Sequence, residues 1–278
     1  METRDNLMTE ARAIRREDSD SLNNGLASFA AADSLYHVET AWQLVYERYL
    51  AAGFIGPNPY RIHTSRHALH NDTCVVFGRH NDHVTSTMTM LPDGDTGLSL
   101  DSVYRRELAA LRTNRRRLLE VGLLVADSSA NAGHDMNTLF ELMKWGVYYA
   151  LHLDITDIVV GVHPHHARFY TRCFAFEQYG PEKVYPLVRN KPVVLLRLRV
   201  KEQLALQMLP RGLRHVRDNP LPGDAFRSRY ELNHANLEGS MVERFFALIQ
   251  QPEQEEGRSR RRESRLQRPL NLMAMAPA

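Results

Sequence analysis

The sequence predicts an α/β (α+β) fold, one mixed β-sheet flanked by helices, with disordered tails at both ends. Three observations predict it. Apolar residues recur at helical spacing in some windows and in short alternating or unbroken runs in others. The two kinds of window follow one another along the chain, as they do when helices cover a sheet. The 278 residues are 43% hydrophobic, enough to bury the core of one large domain.

Residues 1–33 are polar and charged, then poor in large apolar groups, and are expected to be disordered. In "AWQLVYERYLAAGFIG", Trp42, Val45, Tyr46, Tyr49 and Leu50 form one helix face, which Gly53 and the "GPNP" at 56–59 terminate. "TCVVFGR" (73–79) and "HVTSTMTML" (83–91) read as strands joined by the turn "HND". The loop "PDGDTG" leads to a helix at 101–112, capped by Asp101 or Ser102. "RLLEVGLLVAD" (117–127) is a strand. The helix "MNTLFELMKWGVYYALHL" follows, with Leu139, Leu142, Met143, Gly146, Val147 and Ala150 on one face. "ITDIVVGVH" (155–163) is apolar enough for a strand buried on both sides, and Pro164 suits the first turn of the next helix. Residues 174–188 read as a strand with turns, and "PVVLLRLRV" (192–200) as the last strand. The domain thus spans 34–200. An extension at 201–251 includes an amphipathic stretch at 237–251, and residues 252–278 are expected to be a disordered arginine-rich tail.

A formal charge of +2 argues for no particular partner. The run "RSRRRESRLQR" reads as a solvated tail, with nucleic acid or peripheral contact with acidic lipid as alternatives. The core shows no basic surface interleaved with aromatics, so nucleic acid is not the expected partner. Cys74 and Cys173 cannot build a disulfide framework and read as small core residues. The first residues contain no apolar run, and nothing approaches the ~18 apolar residues of a membrane span, so the expected location is the cytoplasm.

Glu120 is the first candidate for chemistry. A charge inside an apolar strand is costly unless it is paired or has a task. Strand alternation puts Leu118, Glu120, Gly122 and Leu124 on one face, and a strand glycine marks a bulge or a close approach. The structural alternative pairs Glu120 with Arg115, Arg116 or Arg117, or with a helix arginine. Tyr170, on the face shared with Ala167, Cys173 and Phe174, is either a core tyrosine or a phenol that donates a proton. His163, His165 and His166 crowd around Pro164, but their spacing does not suit a zinc site, so no metal is expected. A position at a strand's carboxyl end can still face a ligand.

The segments "GLSLDSVYRRELAALRTNRRRLLEVGLLVAD", "DIVVGVHPHHARFYTRCFAFEQYG" and "NKPVVLLRLRV" together resemble the long-chain N-acyl amino acid synthases. These are distant relatives of acyl-homoserine lactone synthases within the GCN5-related N-acetyltransferase (GNAT) fold. The resemblance covers roughly residues 36–200. It implies a GNAT-like sheet, a fatty acyl donor usually held on acyl carrier protein, and transfer to the amine of an amino acid or similar acceptor. It places Glu120 where the fold keeps its carboxylate and Tyr170 near the thioester sulfur. The loop "ADSSANAGHD" (126–135) lacks the glycine-rich pyrophosphate cradle of acetyl-CoA users, which favours the carrier protein over coenzyme A. "TST" at 85–87 stands where many relatives have glycine-threonine, so Thr87 bears on the fit of the acyl chain.

The mechanism expected from these residues has Glu120 as base, backbone N–H groups between Glu120 and Val125 holding the oxyanion, and Tyr170 protonating the thiolate. Val121, Leu123, Val125, Thr87, His163 and His165 are the candidate substrate-binding residues. Met88, Met90, Leu91, Phe140 and Trp145 are candidates for an apolar slot. Arg115, Arg116 and Arg117, just before the strand, are the candidate carrier-protein contacts. No cofactor is expected beyond the acyl thioester co-substrate. The rival readings are an inactive acyl-binding or regulatory module and a signal synthase like the acyl-homoserine lactone enzymes.

Overall fold

The computed structural model describes residues 27–126 and 132–250. In chain order the elements are β1 (Ser28–Ala31), α1 (Leu35–Ala51), β2 (Cys74–His80), β3 (His83–Pro92), α2 (Asp101–Thr113), β4 (Leu118–Ala126), α3 (Ala132–His152), β5 (Asp157–Val162), α4 (Pro164–Phe174), β6 (Glu177–Gln178), β7 (Lys183–Tyr185) and β8 (Lys191–Arg199). The extension adds α5 (Val200–Leu204), α6 (Arg211–Asp218), α7 (His234–Leu237) and α8 (Met241–Ile249). The strands form one sheet in the order β1-β2-β3-β4-β5-β8-β6, with β7 also paired to β8. It is the expected mixed sheet: β4 and β5 run parallel, and the remaining pairs are antiparallel.

Helices cover both faces. Leu119, Val121 and Leu124 of β4 join one core with α3, α4 and α6. Leu123 and Val125 join a second core with α1, α7 and α8, and Leu118 a third with α2. No described helix is long and apolar enough to cross a membrane.

Local chemistry explains where the structure departs from expectation. Within the stretch expected to be disordered, Ser28–Ala31 add an edge strand to β2, because Phe29 and Ala31 reach the core. Residues 1–26, the loop at 127–131 and the arginine-rich tail lie outside the described residues. Asp101 does not cap α2 from the N-cap position, which Leu100 occupies. Its carboxylate instead accepts from Leu98 N (2.8 Å) and pairs with Arg112 (2.7 Å). The stretch 237–251 is not one helix. Gly239, at φ 71°, breaks it, and Ser240 starts α8 by accepting from Glu243 N (3.0 Å).

Two irregularities of β4 position the site. Pairing of β4 with β5 runs only from Leu118↔Asp157 to Glu120↔Val159, yet β4 continues to Ala126 and β5 to Val162. The strands therefore part immediately after Glu120. On its other side β4 carries a bulge: Thr89 pairs with Gly122 but Thr87 with Val125, and Leu123 sits at φ 48°. The extra residue reverses the alternation, so Leu124 turns to the α3 side, away from the face it was expected to share with Glu120.

Candidate active site

Glu120 is fully buried at the point where β4 and β5 part. One carboxyl oxygen, Oε2, accepts from Leu100 N at 3.1 Å; Oε1 is buried with no hydrogen-bond partner among the described residues. Burial pushes the carboxyl up to about 8, the neighbouring charge of Asp101 adding to the rise while the Leu100 N–H opposes it. Among the described residues no arginine pairs with Glu120. Arg116 is bound to Asp157 and Glu202, and Arg117 reaches Asp154 at 3.3 Å.

Other buried polar groups converge on the same region. The hydroxyl of Tyr49, from α1, is buried without a hydrogen-bond partner among the described residues, as are His63 Nε2, Thr64 Oγ1 and the Tyr185 hydroxyl. The Tyr49 and His63 rings lie 5.4 Å apart. His63 N also donates to Trp42 O (3.2 Å), which ties this loop to α1. The Ser65 and Ser99 hydroxyls meet at 2.7 Å, and Ser99 is next to the Leu100 that binds Glu120. Tyr185 lies within the electrostatic reach of both Glu120 and Tyr49. Burial holds the Tyr49 and Tyr185 phenols protonated and pushes His63 down to about 4, so it stays neutral at physiological pH. Orphaned donors and acceptors of this kind are groups that a small polar molecule could satisfy. Tyr49, His63 and Tyr185 escape sequence reasoning because they come from distant segments and look like core or loop residues.

Tyr170 projects from α4 on the opposite side of the sheet, packed edge-on against Phe169 and Phe176 (5.3 and 5.6 Å). Burial raises its phenol, and the charge of Tyr49 adds to the rise. Glu120 lies on β4 where it parts from β5, and Tyr170 on the helix that follows β5.

The other candidates divide by position. Leu123 and Val125 face the α1 side. Val121 faces α3, where a Cβ on Gly146 would stand 3.7 Å from it and 3.2 Å from Met88. Thr87 is tied to the sheet, its hydroxyl donating to Val76 O at 2.9 Å. Met88, Met90, Phe140 and Trp145 share the α3 core, whereas Leu91 belongs with α1. His163, at the end of β5, caps α4 by accepting from His165 N (3.3 Å), and His165 is exposed beside it. Among the described residues no three His, Cys, Asp or Glu side chains stand together as a metal site.

Arg115, Arg116 and Arg117 stand at the end of β4 away from the gap. They precede β4, and the nine residues of that strand carry the chain roughly 26 Å, at ~3.3 Å per step, to its other end. The gap opens toward that other end. A pocket of about 400 Å³ beside the arginines is lined by His70, Asp72, Asp93, Arg116 and Arg117, both signs of charge together. Asp157, fully buried, holds Arg116 and Arg197 (2.6 Å), so Arg116 secures the start of β5.

Known proteins share this fold. The N-acyl amino acid synthase FeeM family matches residues 40–199. The structure of FeeM, an N-acyl amino acid synthase from uncultured soil microbes, is similar with a TM-score of 0.58 at 23% identity, covering 64% of this chain and 92% of that one. TofI, solved in a ternary complex with an inhibitor and MTA, is similar with a TM-score of 0.52 at 14% identity, covering 67% and 99%. The AHL synthase LasI aligns at a TM-score of 0.46 and 14% identity, covering 66% and 94%. No curated protein matches the chain by sequence. The chain belongs to the FeeM N-acyl amino acid synthase family and is an acyltransferase with a GNAT-like fold.

Proposed function

We propose that the enzyme moves a long-chain fatty acyl group from an acyl carrier protein thioester to the amine of an amino acid or related small amine. The observation that carries this reading is Glu120, a buried carboxyl with a free oxygen at the parting of β4 and β5. The thioester enters the gap, and the amine is received by the unpaired polar groups of Tyr49, His63 and Tyr185. Ionised Glu120 takes a proton from the ammonium, and the freed amine attacks the thioester carbon. The resulting oxyanion is held by backbone N–H groups of the β4 bulge around Leu123. As the carbon–sulfur bond breaks, Tyr170 protonates the thiolate, its phenolate regains a proton from the nitrogen of the intermediate, and Glu120 releases the first proton to solvent. No acyl-enzyme is needed. Burial holds the Cys74 thiol up at about 12, far from a reactive thiolate.

The test is turnover by the purified chain with long-chain acyl carrier protein and a panel of amines, with products identified by mass spectrometry. Glu120→Gln is expected to fold and to lose roughly 10²-fold or more in kcat/KM. Full activity in the folded variant would remove Glu120 from the mechanism. Stoichiometric lipid binding without turnover would point to an acyl-binding module.

A further inference from the structure

The end of the sheet where β4 and β5 part is also where α4 begins, and α6 lies against α4 and α3. The exposed side of α4 carries Arg168 and Arg172, and that of α6 carries Arg211, Arg214 and Arg217. The two helices are in close contact. A Cβ on Gly212 would stand 2.4 Å from the Phe174 ring and 2.6 Å from the Cys173 carbonyl oxygen, so glycine permits this approach. Arg211 lies over the Phe140 ring of α3, 5.2 Å from its centre, and Phe140 in turn stacks on Phe169 of α4 (6.2 Å). Of the five arginines, only Arg217 has a carboxylate partner among the described residues, Asp218 at 3.0 Å. Arg214 donates to Leu209 O at 3.2 Å, which leaves its charge unbalanced. The family match ends at residue 199, so α6 comes from the extension.

We propose that the α4–α6 face is the docking surface for the acidic carrier protein, and that α6 is this chain's own addition to it. The inference rests on the carrier-protein reading of the donor. Unpaired guanidinium groups on α4, which starts at the opening, and on α6, packed against the far end of α4, complement an acidic partner and speed its encounter. Their spread favours a protein over coenzyme A: α6 alone is eight residues, roughly 12 Å long, whereas a phosphate is held in one compact cradle.

The experiment uses the full chain and the paired charge reversals Arg168→Glu with Arg172→Glu, and Arg211→Glu with Arg214→Glu. Three donors are compared: a long-chain acyl carrier protein, the matching acyl-CoA, and a short, uncharged N-acetylcysteamine thioester. Each pair is expected to raise KM for the carrier-protein donor about tenfold or more and to flatten its salt dependence. Turnover of the uncharged thioester is expected to stay within about twofold of wild type, which also shows that the variants are folded. Unchanged KM for the carrier-protein donor in both pairs would overturn the docking surface while leaving the donor reading intact. Equal losses on all three donors would overturn it as a misread structural effect. A wild-type enzyme that uses acyl-CoA but not the carrier protein would overturn the donor reading, and the surface with it.

Discussion

Glu120 sits where a carboxylate is least comfortable, and the discomfort has a sign that can be measured. Its folded value of about 8 lies above the ordinary 4.5, so between those pH values the unfolded chain has lost a proton that the folded chain keeps. Wild-type stability therefore falls as pH rises through that window and levels off above about 8. Glu120→Gln removes the titration but leaves an amide N–H₂ group without a partner, a cost of about 1–3 kcal/mol. The variant is thus expected to be no more stable than wild type near pH 4.5, and to gain on it by a few kcal/mol toward pH 9. Urea unfolding at a series of pH values checks this; parallel stability curves would refute the buried, raised carboxyl. The same ionisation predicts that wild-type kcat/KM climbs with pH through about 8, because only ionised Glu120 accepts the amine's proton. At this scale the sequence was informative where a residue broke its local pattern. Glu120 interrupts an apolar run and could be singled out. The partners of Arg116 and Arg117 could not be read, because Asp154, Asp157 and Glu202 lie far away in sequence.

Strands and helices were legible from periodicity, and the local breaks in them were not. The run from Leu118 to Ala126 is visibly a strand, but nothing in its composition says that Leu123 adopts φ 48° and turns Leu124 to the other face. Gly122 hinted at the bulge one residue early. The parting of β4 from β5 was equally hidden, since it is a property of pairing. Gly161 of β5 shows how closely the two strands and Glu120 depend on one another. A Cβ there would stand 2.6 Å from Leu100 Cδ2 and 3.2 Å from Val193 Cγ2, and Leu100 supplies the N–H that holds Glu120. Gly161→Ala is expected to cost about 1–3 kcal/mol through overpacking. It should also lower kcat by moving Leu100. Loss of stability with kcat unchanged would mean that the Leu100 side chain yields without shifting its backbone.

The molecule as a whole is closed by segments outside the family match. After α6, Phe226 packs against Trp145 and Tyr149 (5.4 and 4.9 Å), and Arg229 binds both the Tyr149 hydroxyl (2.9 Å) and Asp72 (2.6 Å). Tyr230 N then donates to Ala32 O at 2.7 Å, beyond β1. Leu232, Leu237, Val242, Phe245 and Phe246 are buried in the α1 core, with Phe246 edge-on to Trp42 at 6.1 Å. Trp42 in turn donates to Thr89, which pairs with Gly122 beside the bulge. The extension therefore packs on both faces of the sheet. A chain of residues 27–208 would bare the surfaces of α1, α3 and α4 that these side chains cover. It is expected to aggregate or to bind a hydrophobic dye without a cooperative unfolding transition, whereas residues 27–250 should unfold cooperatively. Within the longer chain, Phe246→Ala is expected to cost about 3–5 kcal/mol, as for other fully buried aromatics. Calorimetry of both chains and urea unfolding of the point variant decide the matter. A cooperative transition in the shorter chain, at a similar temperature, would show that the extension covers the domain without holding it together.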